Sequence, residues 1–281
     1  MSTQQPALPP TPAPDGQYRS PIPVVRTHLG HALASEWTKI RSVRSTMWTL
    51  GVFLLLVIGI GLLTGIAVRG TGAREITTNP LGLGLFGLLV GCLCVITLGV
   101  LTTTSEYGTG MIRTTTTACP SRGRVLAAKS IVFSSVAFVV TLAASSLVAM
   151  LQVALLDGQI RQRPSGGAWL RATLGISLYV ALLGLLALLV GSMIRHSAGA
   201  ITLMVAAVLA PLVLALFMAA TPLETVRDAL LEYSIPNQLS VLYSTSLGAS
   251  GPTGWDPLWI MLGVTAVAYA AAHTLLNSRD V

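Results

Sequence analysis

Long apolar segments alternate with short polar connections along most of this chain. Six of the apolar segments have at least 19 residues and contain no Asp, Glu, Lys or Arg. A bilayer's hydrocarbon core is about 30 Å thick, and about 20 apolar residues of helix cross it. The pattern therefore predicts an all-α integral membrane protein with six transmembrane helices, at residues 47–68, 81–101, 131–156, 172–194, 198–220 and 258–276.

A different pattern precedes the first predicted span, at residues 28–44. Apolar residues recur there at i, i+4, i+8 and i+11, at Leu29, Leu33, Trp37 and Ile40. The positions between them include Glu36, Lys39, Arg41 and Arg44. This spacing predicts an amphipathic helix that lies in the membrane interface. The residues alone fit equally well an ordinary basic flank of the first span.

The connection between the second and third spans, residues 102–129, is polar and basic. Its centre has a small apolar pair, Met111 and Ile112, followed by four threonines. Pro120 disfavours helical geometry in the residue before it, so a short helix should end there. Ser121 then stands where it can cap the next helix. We interpret this connection as a docking surface for another protein.

Composition and charge place the chain in a membrane. It is 53% hydrophobic and only 10% charged, whereas soluble domains have about 25% charged residues. The predicted connections on the side of the termini carry eleven basic and four acidic residues, while the opposite side carries six of each. An excess of Lys and Arg marks the cytoplasmic side, so both termini should be cytoplasmic. The sequence shows no basic patch with interleaved aromatic residues, so it does not favour a nucleic-acid partner.

The segments outside the spans complete the predicted organisation. Residues 1–25 are rich in proline and should form a disordered cytoplasmic tail. The remainder, 26–281, is predicted to be one six-span domain. Its largest outer segment, 221–257, begins with Thr221, Pro222 and Glu224 in the order of a helix start, which predicts a helix to about Tyr233. In the fifth span, Pro211 predicts a kink or a break.

The residues argue against several kinds of chemistry. A phosphate-binding P-loop needs a lysine after a glycine, but the two lysines, Lys39 and Lys129, follow Thr and Ala. We therefore predict no ATP hydrolysis by this chain, and we assign no catalytic residue, metal or cofactor. His273 is the only titratable residue in a predicted span apart from Cys and Tyr side chains. Transport, if it occurs, should thus draw its energy from outside the membrane.

Two stretches resemble a known family, the permease subunits of type-two ABC exporters. The first contains Glu106, Tyr107, Gly108, Gly110, Met111, Ile112, Pro120, Ser121, Arg122 and Lys129. The second is the stretch 36–48. The resemblance implies a bacterial plasma-membrane protein, paired with a second permease subunit and coupled to a separate ATP-binding subunit. A membrane scaffold or assembly protein without transport activity is the alternative.

The resemblance also assigns roles to individual residues. It implies a cytoplasmic coupling helix between spans two and three, with ATPase docking by Glu106, Tyr107, Gly108, Gly110, Met111, Arg113, Pro120, Ser121, Arg122 and Arg124. It implies an interfacial elbow helix with Leu33, Trp37, Lys39, Arg41 and Arg44. The segment from Glu106 to Arg124 is expected to be a water-exposed loop whose shape the partner protein recognises.

Overall fold

The computed structural model describes residues 28–72, 79–111, 114, 121–218, 223–245 and 251–278. This part of the chain is all-helical and contains no strand. Its helices are α1 (Leu29–Ser42), α2 (Arg44–Gly70), α3 (Leu85–Gly108), α4 (Arg122–Leu155), α5 (Gly166–Ile194), α6 (Ser197–Phe217), α7 (Glu224–Glu232), α8 (Ile235–Leu242) and α9 (Asp256–Ser278). A 3-10 turn, Pro80–Gly84, leads into α3, and a π-helical turn, Arg171–Gly175, lies within α5.

Six of these helices are long and apolar enough to cross a membrane, namely α2 to α6 and α9. The prediction of six spans is therefore confirmed. The helices adjoining the connection at 109–121 extend further than hydropathy predicts. Helix α3 continues to Gly108 instead of ending near residue 101, and α4 begins at Arg122, directly after the predicted cap Ser121 and nine residues before its apolar run. These extensions carry Glu106 and Lys129, which a hydropathy criterion excludes although both are buried against other helices.

Helices α3 and α5 form the centre of the bundle. More than half of the residues in their apolar windows are buried, against about a fifth in α2, α6 and α9. The two central helices cross closely at a pair of glycines, because a Cβ atom added to Gly99 would collide with the carbonyl oxygen of Gly184. Small residues at such crossings let helix backbones approach, which increases van der Waals contact in a membrane.

Helix α2 packs against α3 through another glycine pair, Gly87 and Gly91. A Cβ atom at Gly87 would lie 2.8 Å from the carbonyl oxygen of Val57, and one at Gly91 would lie 2.7 Å from a methyl carbon of the same residue. The spacing of four residues places both glycines on one face of α3. Small residues on this face let α2 and α3 pack closely.

The segment between α6 and α9 contains two short helices. Helix α7 ends at Glu232, close to the predicted position, and Ser234 begins α8 by accepting a hydrogen bond from the N–H of Asn237. Thr221 and Pro222 lie outside the described residues. Helix α6 continues through Pro211 as one unbroken helix, so the predicted break does not occur.

The connections gather at two ends of the bundle. At the end opposite α1, the amide of Asn79 donates to the carbonyl oxygen of Tyr243 at 2.9 Å. The guanidinium of Arg171 there donates to the hydroxyl of Ser244, also at 2.9 Å. The other end, which we call the α1 end, contains α1, the last turns of α3 and α5 and the first turn of α4. The candidate site lies at the α1 end.

Candidate functional site

Four charged side chains meet at the α1 end and form what we call the charge cluster. Helix α1 contributes Glu36 and Lys39, α3 contributes Glu106, and α4 contributes Lys129. Three of these residues are almost fully buried, with exposed fractions of 4% for Glu36, 3% for Glu106 and 4% for Lys129. Lys39 is only partly buried. The cluster thus connects α1 to both helices that adjoin the segment 109–121.

The hydrogen bonds of the charge cluster form a closed ring. The Nζ of Lys129 donates to Glu36 Oε2 at 2.9 Å and to Glu106 Oε1 at 2.7 Å. Its third donor is directed to the carbonyl oxygen of Thr102, 3.3 Å away. The Nζ of Lys39 donates to Glu36 Oε1 at 3.2 Å and also to Glu106 Oε1. Each carboxylate is therefore bonded to both lysines, and the four formal charges sum to zero.

Burial makes this pairing necessary. An isolated charge taken out of water costs several kcal/mol, which is offset only by opposite charges with good hydrogen-bond geometry. Burial by itself lowers the pKa of Lys39, but the hydrogen bond to Glu106 and the charge of Glu36 outweigh this effect, so its pKa lies above the ordinary value. Lys39 is therefore a stable cation at neutral pH. The cluster is built to hold helices together and has no exposed nucleophile.

Two members of the charge cluster were missed from the sequence. Glu36 was predicted on the polar face of an amphipathic helix, and Lys129 was predicted among the basic residues of the helix that follows Ser121. A signal was present, because the only two lysines of the chain, Lys39 and Lys129, are both in the cluster, while the other fifteen basic residues are arginines. A lysine ammonium is a compact charge with three donors, which suits a site between two carboxylates.

The predicted exposure of Glu106 was wrong. The sequence placed it in a water-exposed docking segment, whereas the structure places it in the last turns of α3, buried against Lys39 and Lys129. Hydropathy cannot distinguish these cases, because a charge that ends an apolar run looks the same whether it faces water or a partner. Glu106 is consequently covered by the helices around it and does not lie on the outer surface of the connection.

The turn after α3 depends on one of the two predicted glycines. Gly110 has φ +72°, a left-handed backbone conformation that residues other than glycine rarely adopt. Gly108 is the last residue of the helix, and nothing lies within 4 Å of a Cβ built there. The chain therefore turns at Gly110. Beyond it, Met111 is exposed, and Arg113 and Pro120 lie outside the described residues.

Further contacts join the residues that flank the segment 109–121 to other parts of the bundle. The guanidinium of Arg195, in the turn between α5 and α6, lies over the ring of Tyr107 with 5.0 Å between its central carbon and the ring centroid. Arg122 donates from Nη1 to the carbonyl oxygen of Leu276 near the end of α9, at 2.7 Å. Ser121 occupies the N-cap position of α4, but its side chain makes no capping hydrogen bond. Arg124 is half-buried on the same turn.

Helix α1 matches the predicted amphipathic segment in position. It buries Glu36 and Ile40 against the bundle and leaves Leu29 of the apolar row exposed. Leu33 is half-buried, Trp37 is 49% exposed, and Arg41 and Arg44 are exposed. An exposed tryptophan beside exposed arginines is typical of a helix at a membrane boundary. Its assignment as an elbow helix stays a prediction.

Taken together, the α1 end joins five helices by buried ion pairs, a cation–π contact and a hydrogen bond, and the segment 109–121 starts and ends there. Such an arrangement can transmit a displacement of that segment to the spans. No protein-family model matches this chain, and no curated protein matches its sequence.

Proposed function

We propose that this chain is the membrane-spanning permease subunit of an ATP-driven ABC exporter. It would act as a dimer of permease subunits, each docking a separate ATP-binding subunit, in a bacterial cell membrane with both termini cytoplasmic. The observation that carries the proposal is the charge cluster, because it fixes α1, α3 and α4 to one another directly beside the segment 109–121.

The physical argument concerns how a movement at the docking segment would reach the membrane. A flexible loop between two spans would absorb a displacement, whereas a segment that begins and ends on helices held by buried ion pairs passes it on. Helix α4 is continuous from Arg122 to Leu155, so its first turn and its membrane-spanning part move together. The central helix α3 likewise runs unbroken from Leu85 into the charge cluster at Glu106.

The residues around the turn also suit a protein partner. Gly108, Thr109, Gly110 and Met111 are exposed. An exposed apolar side chain next to polar backbone is a common anchor in protein interfaces. The sign of the charge agrees with a cytoplasmic location, since the sequence segments predicted on the side of the termini have a net charge of +7 and those predicted on the opposite side have none.

The experiment that tests the proposal is affinity purification of the full chain from its native membranes in mild detergent. We expect a protein with a phosphate-binding P-loop to co-purify and to be identified by mass spectrometry. Replacing Gly110 with Val should distort the turn, because its φ is positive, and should weaken co-purification at least tenfold, which corresponds to about 1.4 kcal/mol.

A matched control is available at the opposite end. Gly72 also has a positive φ, +67°, and nothing lies within 4 Å of a Cβ built there, as at Gly110. The variant Gly72→Val should therefore strain the backbone similarly and leave co-purification unchanged. If no ATP-binding protein co-purifies, or if both variants lose it equally, the docking assignment is wrong and the scaffold alternative is favoured.

A further inference from the structure

A cavity of about 130 Å³ lies at the α1 end and is lined in part by Lys39. It is enclosed by the end of α1, the first two turns of α2 and the last turns of α3. One water molecule takes about 30 Å³ of liquid volume, so the space has room for a group of several heavy atoms. Of the charge cluster only Lys39 lines this cavity.

One side of the cavity offers hydrogen-bond donors and positive charge. Lys39 lines it and uses two of its three ammonium donors for Glu36 and Glu106. Ser45 and Thr46 line it from the first turn of α2 with hydroxyl groups. That helix start has no side-chain cap, because Val43 precedes it, and no acidic residue. The uncapped N–H groups and the helix dipole favour an anion there.

The other side of the cavity is apolar. Leu98 and Leu101 of α3 line it together with Ile40 of α1. Less than one turn along α2 from Thr46, the chain enters its long apolar run, and Trp48 in this turn is 76% exposed. Exposed tryptophans concentrate where headgroups meet hydrocarbon. The cavity therefore lies at the membrane boundary, with donors on one wall and hydrocarbon-like side chains on the other.

We propose that this cavity binds the headgroup phosphate of an anionic phospholipid from the leaflet that α1 contacts. Its phosphate would accept hydrogen bonds from Lys39 and from the first turn of α2, while the glycerol and upper acyl carbons would contact Leu98 and Leu101. Arg41 and Arg44, which are exposed and neighbour the lining residues Ile40 and Ser45 in the chain, add positive charge to this part of the protein. Basic pockets between spanning helices recognise anionic headgroups in this way. The proposal does not depend on the proposed transport function.

The test uses the purified full chain in detergent with phosphatidylglycerol, phosphatidylcholine of the same acyl chains, or inorganic phosphate. Retained lipid is counted by native mass spectrometry, and the thermal unfolding midpoint is measured in parallel. We expect phosphatidylglycerol to be retained and to raise the midpoint more than phosphatidylcholine does. Equal effects of the two lipids would refute a headgroup site. An equal rise with inorganic phosphate alone would show an ion site and refute lipid recognition.

The variant Ser45→Glu separates binding from folding. A carboxylate in the first turn of α2 is favourable for the helix dipole, so the unfolding midpoint without added lipid should not fall. The same charge should repel a lipid phosphate and weaken phosphatidylglycerol binding at least tenfold. Ser278→Glu, at an exposed position near the end of α9, makes the same change in net charge outside the cavity and should leave binding unchanged. Equal loss in both variants, or loss in neither, would overturn the assignment.

Discussion

The charge cluster should behave as one energetic unit, which a double-mutant cycle on Glu106 and Lys129 can measure. Replacing Lys129 with Met removes an ammonium that is 2.9 Å and 2.7 Å from two carboxylates and leaves a buried net charge of −1. Losing one partner of a buried ion pair costs about 3–5 kcal/mol. The variant Glu106→Gln should also destabilise the protein, because it leaves a buried net charge of +1.

The double variant should be less harmful than the sum of the two single variants. With Glu106→Gln and Lys129→Met together, the cluster is again neutral, and Glu36 still contacts Lys39. Contacting residues in one network show interaction energies of about 0.5–3 kcal/mol. We expect the upper part of this range, about 2–3 kcal/mol, since both side chains are almost fully buried.

The assay is equilibrium unfolding of the full chain in mixed micelles. The raised pKa of Lys39 sets its pH window, because a cation with a raised pKa contributes its full stabilisation below the ordinary value of 10.5 and loses it only as the pH rises above that value. Measurements between pH 7 and 9 therefore keep Lys39 charged. Between pH 7 and pH 9, Lys39 should therefore cause no pH dependence of the interaction energy between Glu106 and Lys129.

An exposed ion pair at the other end supplies the control cycle. Arg163 and Asp157 are 3.5 Å apart, and their side chains are 84% and 68% exposed. Such surface pairs contribute about 0–1 kcal/mol, so Asp157→Asn and Arg163→Met should be nearly additive. If the buried pair shows an interaction energy no larger than this exposed pair, the charge cluster does not hold the helices together, and the reasoning from its geometry is refuted.

Two further predictions concern packing and orientation. The variant Gly99→Ala should lower the thermal unfolding midpoint, since its Cβ would collide with the backbone of α5 and overpacking costs about 1–3 kcal/mol. The control variant Gly51→Ala should leave the midpoint unchanged, because nothing lies within 4 Å of a Cβ built at Gly51. Equal effects of the two variants would contradict the close crossing of α3 and α5. In a variant without its native cysteines, a cysteine at Ser165 should react with a membrane-impermeant thiol reagent in intact cells, and one at Thr3 should not; labelling at Thr3 would overturn the orientation.

The sequence determined the spans because hydrocarbon solvent acts on each helix separately. A segment such as 172–194 must satisfy its backbone internally and present apolar side chains whatever its neighbours are, so length and hydropathy suffice to locate it. The small-residue spacing of Gly87 and Gly91 was also readable, since both lie on one face of one helix. Helix α1 was placed to within two residues by its period.

Only the tertiary structure decided the role of the charges at the α1 end. Glu36, Glu106 and Lys129 are far apart in the chain, and each is locally indistinguishable from a charge that faces water. Their burial depends on α1 folding back onto α3 and α4, which is a long-range contact that no local pattern encodes. The close approach of Gly99 and Gly184 has the same cause. Pairing across helices is a property of two surfaces at once, so one stretch of sequence cannot specify it.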